Sequence, residues 1–110
     1  MGSSTEKLVR DRVPEVLSER GILHQVRVAD QSEMAALLQA KLVEEGAEFA
    51  AASDAQARIE ELADVLEVVL ALGRLYGIDR KSLDRARATK AAERGTFEAR
   101  IVLISRLSSE

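Results

Sequence analysis

Between residues 30 and 77 the sequence contains no proline, and a short polar break at 53–54 is its main interruption. The chain's single proline, Pro14, lies well before this stretch. Apolar residues make up 46% of the 110 residues and aromatic residues only 3%, so the apolar content is mostly alanine, leucine and valine. Alanine and leucine favour helices. We therefore predict two long helices, over 33–52 and 55–76, which fold back on each other about the break.

Local signals set the ends of the helices. Pro14 fits the first turn of a short helix, and Gly21 fits its end. Asp30 followed by Glu33 resembles a capping box ahead of the first long helix, with aspartate in place of the usual serine or threonine. A third helix is predicted over 80–94.

Two shorter segments, 22–28 and 97–104, alternate between residues of different polarity. Such alternation favours two strands that pair as a short β-hairpin, and for the second segment a final helix is the alternative. The predicted fold class is mainly all-α, an antiparallel helical bundle with this hairpin as an addition. Residues 1–6 are expected to form a disordered tail, and 7–110 a single domain.

The residue types exclude several kinds of site. There is no cysteine, so the chain can form neither disulfides nor a thiolate metal site, and one histidine, His24, cannot supply a multi-histidine site. No apolar run reaches the roughly 18 residues that a membrane span needs, and the N-terminus lacks the apolar region of a signal peptide. We therefore expect a cytoplasmic protein that does not contact a membrane.

Charge is segregated along the chain. Residues 33–67 hold nine acidic residues against two basic ones, and residues 74–106 hold nine basic residues against four acidic ones. The two regions suit a cation and an anion, a requirement that a magnesium polyphosphate would satisfy, or they simply attract each other. A sequence pI of about 5.3 argues against a nucleic-acid partner.

Acidic residues interrupt the apolar face of the first long helix. Leu38, Leu42 and Phe49 fall on one stripe at helical spacing, Glu45 lies within that stripe, and Glu48 lies at its edge. A carboxylate in an apolar stripe is unfavourable unless something pairs with it. This position therefore predicts a partner for the carboxylates.

The second long helix is apolar around most of its circumference, although its first turns carry acidic residues. In projection Glu61 falls between Val68 and Leu72 rather than on an open polar face. A helix that is apolar nearly all round is usually buried, and in a chain of 110 residues this requires a partner chain as well as neighbouring helices. We therefore expect a homo-oligomer, a dimer or a tetramer.

In an antiparallel helical hairpin, two residues that are equally far from the turn along the chain lie opposite each other. Glu48 then faces Glu61, and Glu45 faces Asp64, one helical turn away. Four converging carboxylates repel one another, and a hard cation relieves that repulsion, so the pattern predicts Mg²⁺, with Mn²⁺ as a substitute. An ordinary acidic helix face is the alternative. A di-iron site would need histidines at ExxH spacing, which these glutamates lack.

These residues resemble a known family. The segments EEGAE at 44–48 and ELAD at 61–64, twelve residues apart, are similar to the EExxE…ExxD signature of the all-α nucleotide pyrophosphatases. KLVRDRVPEVL at 7–17 and KAAERGTF at 90–97 resemble a MazG-like branch of that superfamily. The resemblance covers roughly 7–104, and it implies that 7–110 is one catalytic domain whose subunits assemble as dimers or tetramers.

The resemblance implies roles for individual residues. The metal ligands would be Glu45, Glu48, Glu61 and Asp64, and the catalytic carboxylates would be Glu44 and Glu45, with Glu44 orienting the attacking water or binding metal. The cations that bind the substrate phosphates would be Lys41, Lys90, Arg94, Lys7 and Arg10. For Lys41 a surface ion pair with Glu44 or Glu45 is the alternative.

The activity implied is Mg²⁺-dependent hydrolysis of a nucleoside triphosphate between its α- and β-phosphates, which gives a nucleoside monophosphate and pyrophosphate. The branch is predicted to remove non-standard nucleotides, a house-cleaning role. One alternative is the same chemistry on phosphoribosyl-ATP. Another is a non-catalytic module that oligomerises or binds nucleotide without hydrolysis.

Overall fold

The structure is a computed structural model that describes residues 6–107. Within that range it contains four helices, α1 (Val13–Glu19), α2 (Gln31–Ala51), α3 (Ala55–Leu75) and α4 (Arg80–Arg94). The all-α prediction is confirmed. The two long helices and the third predicted helix begin and end within two residues of their predicted bounds.

The predicted β-hairpin does not form, because no strand occurs anywhere in residues 6–107. Both segments are irregular and exposed, with Leu23 97% exposed and Phe97 95% exposed. An alternating segment is stable as a strand only when one face is buried, and neither segment buries one. The alternative of a final helix over 97–104 is also wrong.

Aspartate side chains begin the three longer helices. Asp30 accepts a hydrogen bond from the Glu33 backbone N–H while the Glu33 side chain accepts one from the Asp30 backbone N–H, which confirms the capping box. Asp54 caps α3 in the same manner, accepting from the Ala57 backbone N–H at 2.8 Å. The predicted break is therefore a helix cap. Because three residues connect α2 to α3, the two helices run antiparallel and pack on each other.

Glycine closes α3. Gly77 has a φ of +74°, and its N–H donates to the Arg74 carbonyl, while the Ile78 N–H donates to the Gly73 carbonyl at 2.8 Å. This is the Schellman arrangement, in which a left-handed residue lets the chain turn back over the last helical turn. Ile78 approaches so closely that a Cβ on Gly73 would lie 3.0 Å from the Ile78 carbonyl oxygen.

The chain divides into two compact units, residues 1–78 and 79–110. The first contains α1, α2 and α3, and the second contains α4 and the irregular segment after it. The single catalytic domain expected over 7–110 stays a prediction. The tail expected over 1–6 lies, except for Glu6, outside the described residues.

The helical hairpin has a small core. Leu38 on α2 and Val68 on α3 are the buried apolar residues among those described, and Glu45 on α2 is also buried. Much of the apolar surface of α3 is open, since Ile59 and Leu66 are 60% and 46% exposed. In a helix with this composition, such an apolar face is normally covered by other parts of a protein.

None of the helices found in residues 6–107 is both long enough and apolar enough to cross a membrane.

Loss of the Asp54 cap should destabilise the protein. We expect Asp54→Ala to lower the free energy of unfolding by about 1 kcal/mol, because the Ala57 N–H loses its acceptor at the start of α3. Urea unfolding followed by circular dichroism measures the change. Asp84→Ala, which removes an exposed aspartate with only a 3.7 Å ion pair, is the control, and an equal loss in both variants would contradict the role of the cap.

Candidate metal centre

Three carboxylates meet between the two long helices. Glu45 from α2 and Glu61 and Asp64 from α3 each present an oxygen within 4.8 Å of the others. These three residues are called the acidic cluster below. α2 places Glu45 on the stripe that faces α3, and the short Asp54-capped connection places Glu61 and Asp64 opposite it. The structure thus brings together three of the four predicted metal ligands.

Within the part of the chain that the structure describes, two oxygens of the cluster lack hydrogen-bond partners. Glu45 is only 6% exposed, and its Oε2 atom is buried without a partner among the described residues. The Oε1 atom of Glu61 is in the same condition within that part of the chain. A buried carboxylate oxygen without a partner is unfavourable, because desolvation is not offset by any hydrogen bond. Within residues 6–107, no donor therefore offsets the desolvation of these two oxygens.

The surroundings disfavour charge on both glutamates. Burial raises the pKa of Glu45 above its ordinary value, and repulsion from Glu48 and Asp64 raises it further. Burial also raises the pKa of Glu61, together with repulsion from Glu48, Glu45 and Asp64. Repulsion among acidic groups and desolvation act in the same direction here, and a bound cation would reverse both.

Glu48 lies at the edge of the cluster. Its side chain is exposed and its oxygens are not among the three that converge, yet its charge contributes to the raised pKa of both Glu45 and Glu61. The effect of the Glu48 charge on the pKa of Glu61 agrees with the predicted proximity of these two residues. Its role as a ligand stays a prediction.

Glu44 has different neighbours from the cluster. Lys41 donates a hydrogen bond to Glu44 at 2.9 Å, and Lys7 lies 3.7 Å from the other Glu44 oxygen. The hydrogen bond from Lys41 lowers the pKa of Glu44, since it favours the charged form. The ion-pair alternative for Lys41 is thus present in the structure, and Glu44 stays a carboxylate at neutral pH.

A residue far away in sequence contacts the cluster. Arg10 donates a hydrogen bond to Asp64 Oδ1 at 2.5 Å, across a separation of 54 residues. Sequence reasoning placed Arg10 among the cations that bind phosphate but did not predict that it pairs with Asp64. No local pattern could have shown this, because the contact depends on the path of the chain before α1.

The remaining predicted cations belong to the second compact unit. Lys90 and Arg94 are on α4, in the second compact unit, and both are exposed. They are four residues apart and share one helix face with Ala86. Their role as phosphate ligands stays a prediction.

Comparison with known proteins identifies the family. The family model described as phosphoribosyl-ATP pyrophosphohydrolase matches residues 5–89, more than three quarters of the chain. The chain belongs to this family. The family match agrees with the resemblance to the all-α nucleotide pyrophosphatases, and it includes all of α2 and α3 with the acidic cluster. No curated protein and no solved structure was found to match this family member.

The pH dependence of stability tests the environment of Glu45. Because the pKa of Glu45 is higher in the folded state than in the unfolded state, its contribution to stability is present below the unfolded pKa and is lost as pH rises through the folded pKa. We expect Glu45→Gln, measured without metal, to be more stable than the wild type at neutral pH by about 1 kcal/mol.

The difference between the two proteins should shrink as the pH falls towards the ordinary carboxyl pKa. Thermal or urea unfolding across this range in the presence of a chelator measures it. Glu60→Gln, which changes an exposed residue adjacent to Glu61 in sequence, is the control. The pH dependence of its stability should match that of the wild type. A Glu45→Gln protein that is less stable than the wild type at neutral pH would contradict the electrostatic account.

Proposed function

We propose that the protein is a Mg²⁺-dependent nucleotide pyrophosphohydrolase that cleaves the bond between the α- and β-phosphates of a nucleoside triphosphate. The products are a nucleoside monophosphate and pyrophosphate, and the substrates are non-standard nucleotides. The observation that carries the proposal is the buried oxygen of Glu45, which has no hydrogen-bond partner among the described residues, in a carboxylate that converges with Glu61 and Asp64. A cytoplasmic setting remains part of the proposal.

The donor set fits magnesium. Hard divalent cations prefer carboxylate oxygens, and the acidic cluster offers three carboxylates whose oxygens already converge. Glu48, whose charge already acts on Glu45 and Glu61, would supply the fourth. Mn²⁺ accepts similar ligands and is the expected substitute. The unpartnered oxygens of Glu45 and Glu61 are the atoms that would gain most from a cation.

When bound, the ion would polarise the phosphoryl oxygens and lower the pKa of the attacking water. Glu44 has a lowered pKa and is therefore a weak base, better suited to orient a water by accepting its hydrogen bond than to hold its proton. Lys41 keeps Glu44 in place through the 2.9 Å hydrogen bond. In the reaction the water oxygen would bond to phosphorus and the bridging P–O bond would break, so that pyrophosphate leaves with its electron pair while the proton lost by the water passes to solvent.

Cations near the cluster would bind the polyphosphate. Lys7, Arg10 and Lys41 all lie within ion-pair distance of Glu44 or Asp64, so a phosphate next to the cluster would meet positive charge at once. Such charges stabilise the negative charge that develops on the departing pyrophosphate. Lys90 and Arg94 are the further candidates for this role.

The family description favours a second substrate, phosphoribosyl-ATP. The chemistry is the same, since the bond broken again joins the α- and β-phosphates. The acidic cluster and its neighbouring cations would contact phosphate rather than base or ribose, and they would serve either substrate equally. A panel containing both therefore decides between them. Binding without turnover would instead support the non-catalytic module.

The protein should act as a homo-oligomer. Ile59, Leu62 and Leu66 lie on one face of α3 at helical spacing, and all three are exposed. Only two apolar residues are buried among those described in the hairpin, so an exposed apolar stripe of this kind is the surface that a second copy would cover. We propose that this stripe forms the contact in a dimer or a tetramer.

The activity is tested by pyrophosphate release. We expect the purified protein with Mg²⁺ to release pyrophosphate from at least one member of a panel of standard and modified nucleoside triphosphates and phosphoribosyl-ATP. Glu48→Gln and Asp64→Asn should each lower the rate at least ~100-fold, because losing a metal ligand costs more than losing a group that only orients one.

Glu60→Gln is the matched control, since Glu60 is adjacent to Glu61 in sequence but exposed and bonded to Gln56. Its rate should equal that of the wild type. Turnover that persists in the Asp64→Asn variant, or in the presence of a chelator, would show that the acidic cluster is not the catalytic centre.

The oligomer is tested by sedimentation equilibrium. We expect the wild type to sediment as a dimer or a tetramer, and Leu62→Lys to weaken assembly at least tenfold, because it places a charge in the apolar contact. Glu60→Lys introduces the same side chain at a polar position of α3 and should assemble normally. A monomeric wild type across the accessible concentrations would refute the proposed contact.

A further inference from the structure

The chain before α1 runs alongside the acidic cluster. This N-terminal segment, residues 6–10, has no regular secondary structure, and its two basic side chains reach different helices. Lys7 lies 3.7 Å from Glu44 on α2, and Arg10 contacts Asp64 on α3 at 2.5 Å. The segment therefore spans both helices of the hairpin at the height of the cluster.

A separate set of contacts anchors the beginning of the N-terminal segment. Arg27 donates to Glu6 at 3.0 Å and to Glu33 at 2.8 Å, which ties the segment to the first turn of α2. These two carboxylates raise the pKa of Arg27 and keep it charged. The anchor involves no residue of the cluster, so it can persist when Arg10 changes partner.

Arg10 and a divalent cation compete for Asp64. The guanidinium occupies Oδ1 of Asp64, one of the three carboxylates whose oxygens converge. A cation bound by this carboxylate would bring a second positive charge close to the guanidinium, and the two positive charges would repel each other. The contact of Arg10 with Asp64 therefore opposes the use of Asp64 as a metal ligand.

When Arg10 leaves Asp64, its guanidinium can bind a phosphate in the same geometry. The planar fork of an arginine binds a carboxylate and a phosphate through equivalent pairs of N–H donors. Arg10 is 59% exposed on its side chain and lies on a segment without regular structure, so it can turn without disturbing a helix.

We propose that Arg10 is an exchange residue, which neutralises Asp64 in the empty site and transfers to the polyphosphate when metal and nucleotide bind together. This inference rests on the proposed function and adds a binding order to it. Free metal has to displace Arg10 without compensation, whereas a metal–polyphosphate complex supplies Arg10 with a new anion. The site is thereby selective for the complex over the free ion.

Titration with metal in the absence of nucleotide tests whether Arg10 competes with the metal for Asp64. We expect Arg10→Gln to bind Mn²⁺ about three- to tenfold more tightly than the wild type in isothermal titration calorimetry, because an exposed ion pair no longer competes for Asp64. Arg74→Gln is the matched control, since Arg74 is similarly exposed and pairs with Glu67 on the same helix, outside the cluster. Its Mn²⁺ affinity should equal that of the wild type.

Binding of inorganic pyrophosphate in saturating Mn²⁺ tests whether Arg10 transfers to the phosphate. We expect Arg10→Gln to bind pyrophosphate several-fold more weakly than the wild type and Arg74→Gln to bind it normally. Tighter binding of Mn²⁺ together with weaker binding of pyrophosphate distinguishes the exchange from a general gain or loss of affinity. Circular dichroism of each variant establishes that the helices are intact.

The outcomes separate this inference from the proposed function. Equal or weaker Mn²⁺ affinity in Arg10→Gln, with a wild type that binds the ion, overturns the exchange alone. Tighter Mn²⁺ binding with unchanged pyrophosphate affinity overturns the transfer to phosphate. If neither protein binds Mn²⁺, the proposed metal centre itself fails, and the exchange fails with it.

Discussion

Repulsion among carboxylates at the contact between α2 and α3 governs much of this structure. Glu45 and Glu61 lie where a helical hairpin would normally place apolar side chains, and burial and mutual repulsion both raise their pKa. Such a placement lowers stability unless a cation offsets it. The basic side chains Lys7, Arg10 and Lys41, which pair with Glu44 and Asp64, bring positive charge to the edge of this acidic region.

The parts of the fold that sequence could predict are those set by local chemistry. The capping box at Asp30 and the interruption at Asp54 defined the helices, and helical periodicity with antiparallel packing brought Glu45 opposite Asp64. The failed prediction concerned 22–28 and 97–104, where alternation was present but no surface was available to bury one face. Periodicity indicates a preference, and only tertiary contacts decide whether it is realised.

The contacts that sequence could not predict join distant parts of the chain. Arg10 with Asp64 and Arg27 with Glu6 depend on the course of irregular segments, for which no repeating pattern exists. Many basic side chains in this sequence were equally good candidates for a role in the site, and their charge alone does not show which of them lie near it. The structure distinguishes Arg10 from the others through one short ion pair.

The difference in sequence separation between these contacts has a consequence for folding. The helices α2 and α3 are adjacent in the chain, so the hairpin closes through local contacts, whereas the pairing of Arg10 with Asp64 spans 54 residues. Contacts of long separation form late, because a larger loop must close. The carboxylates consequently meet before their arginine arrives, and closure of the hairpin passes through its most repulsive state. Divalent cations present during folding would offset that repulsion and speed the step, so an ion held by the proposed metal site would also assist the chain to its native structure.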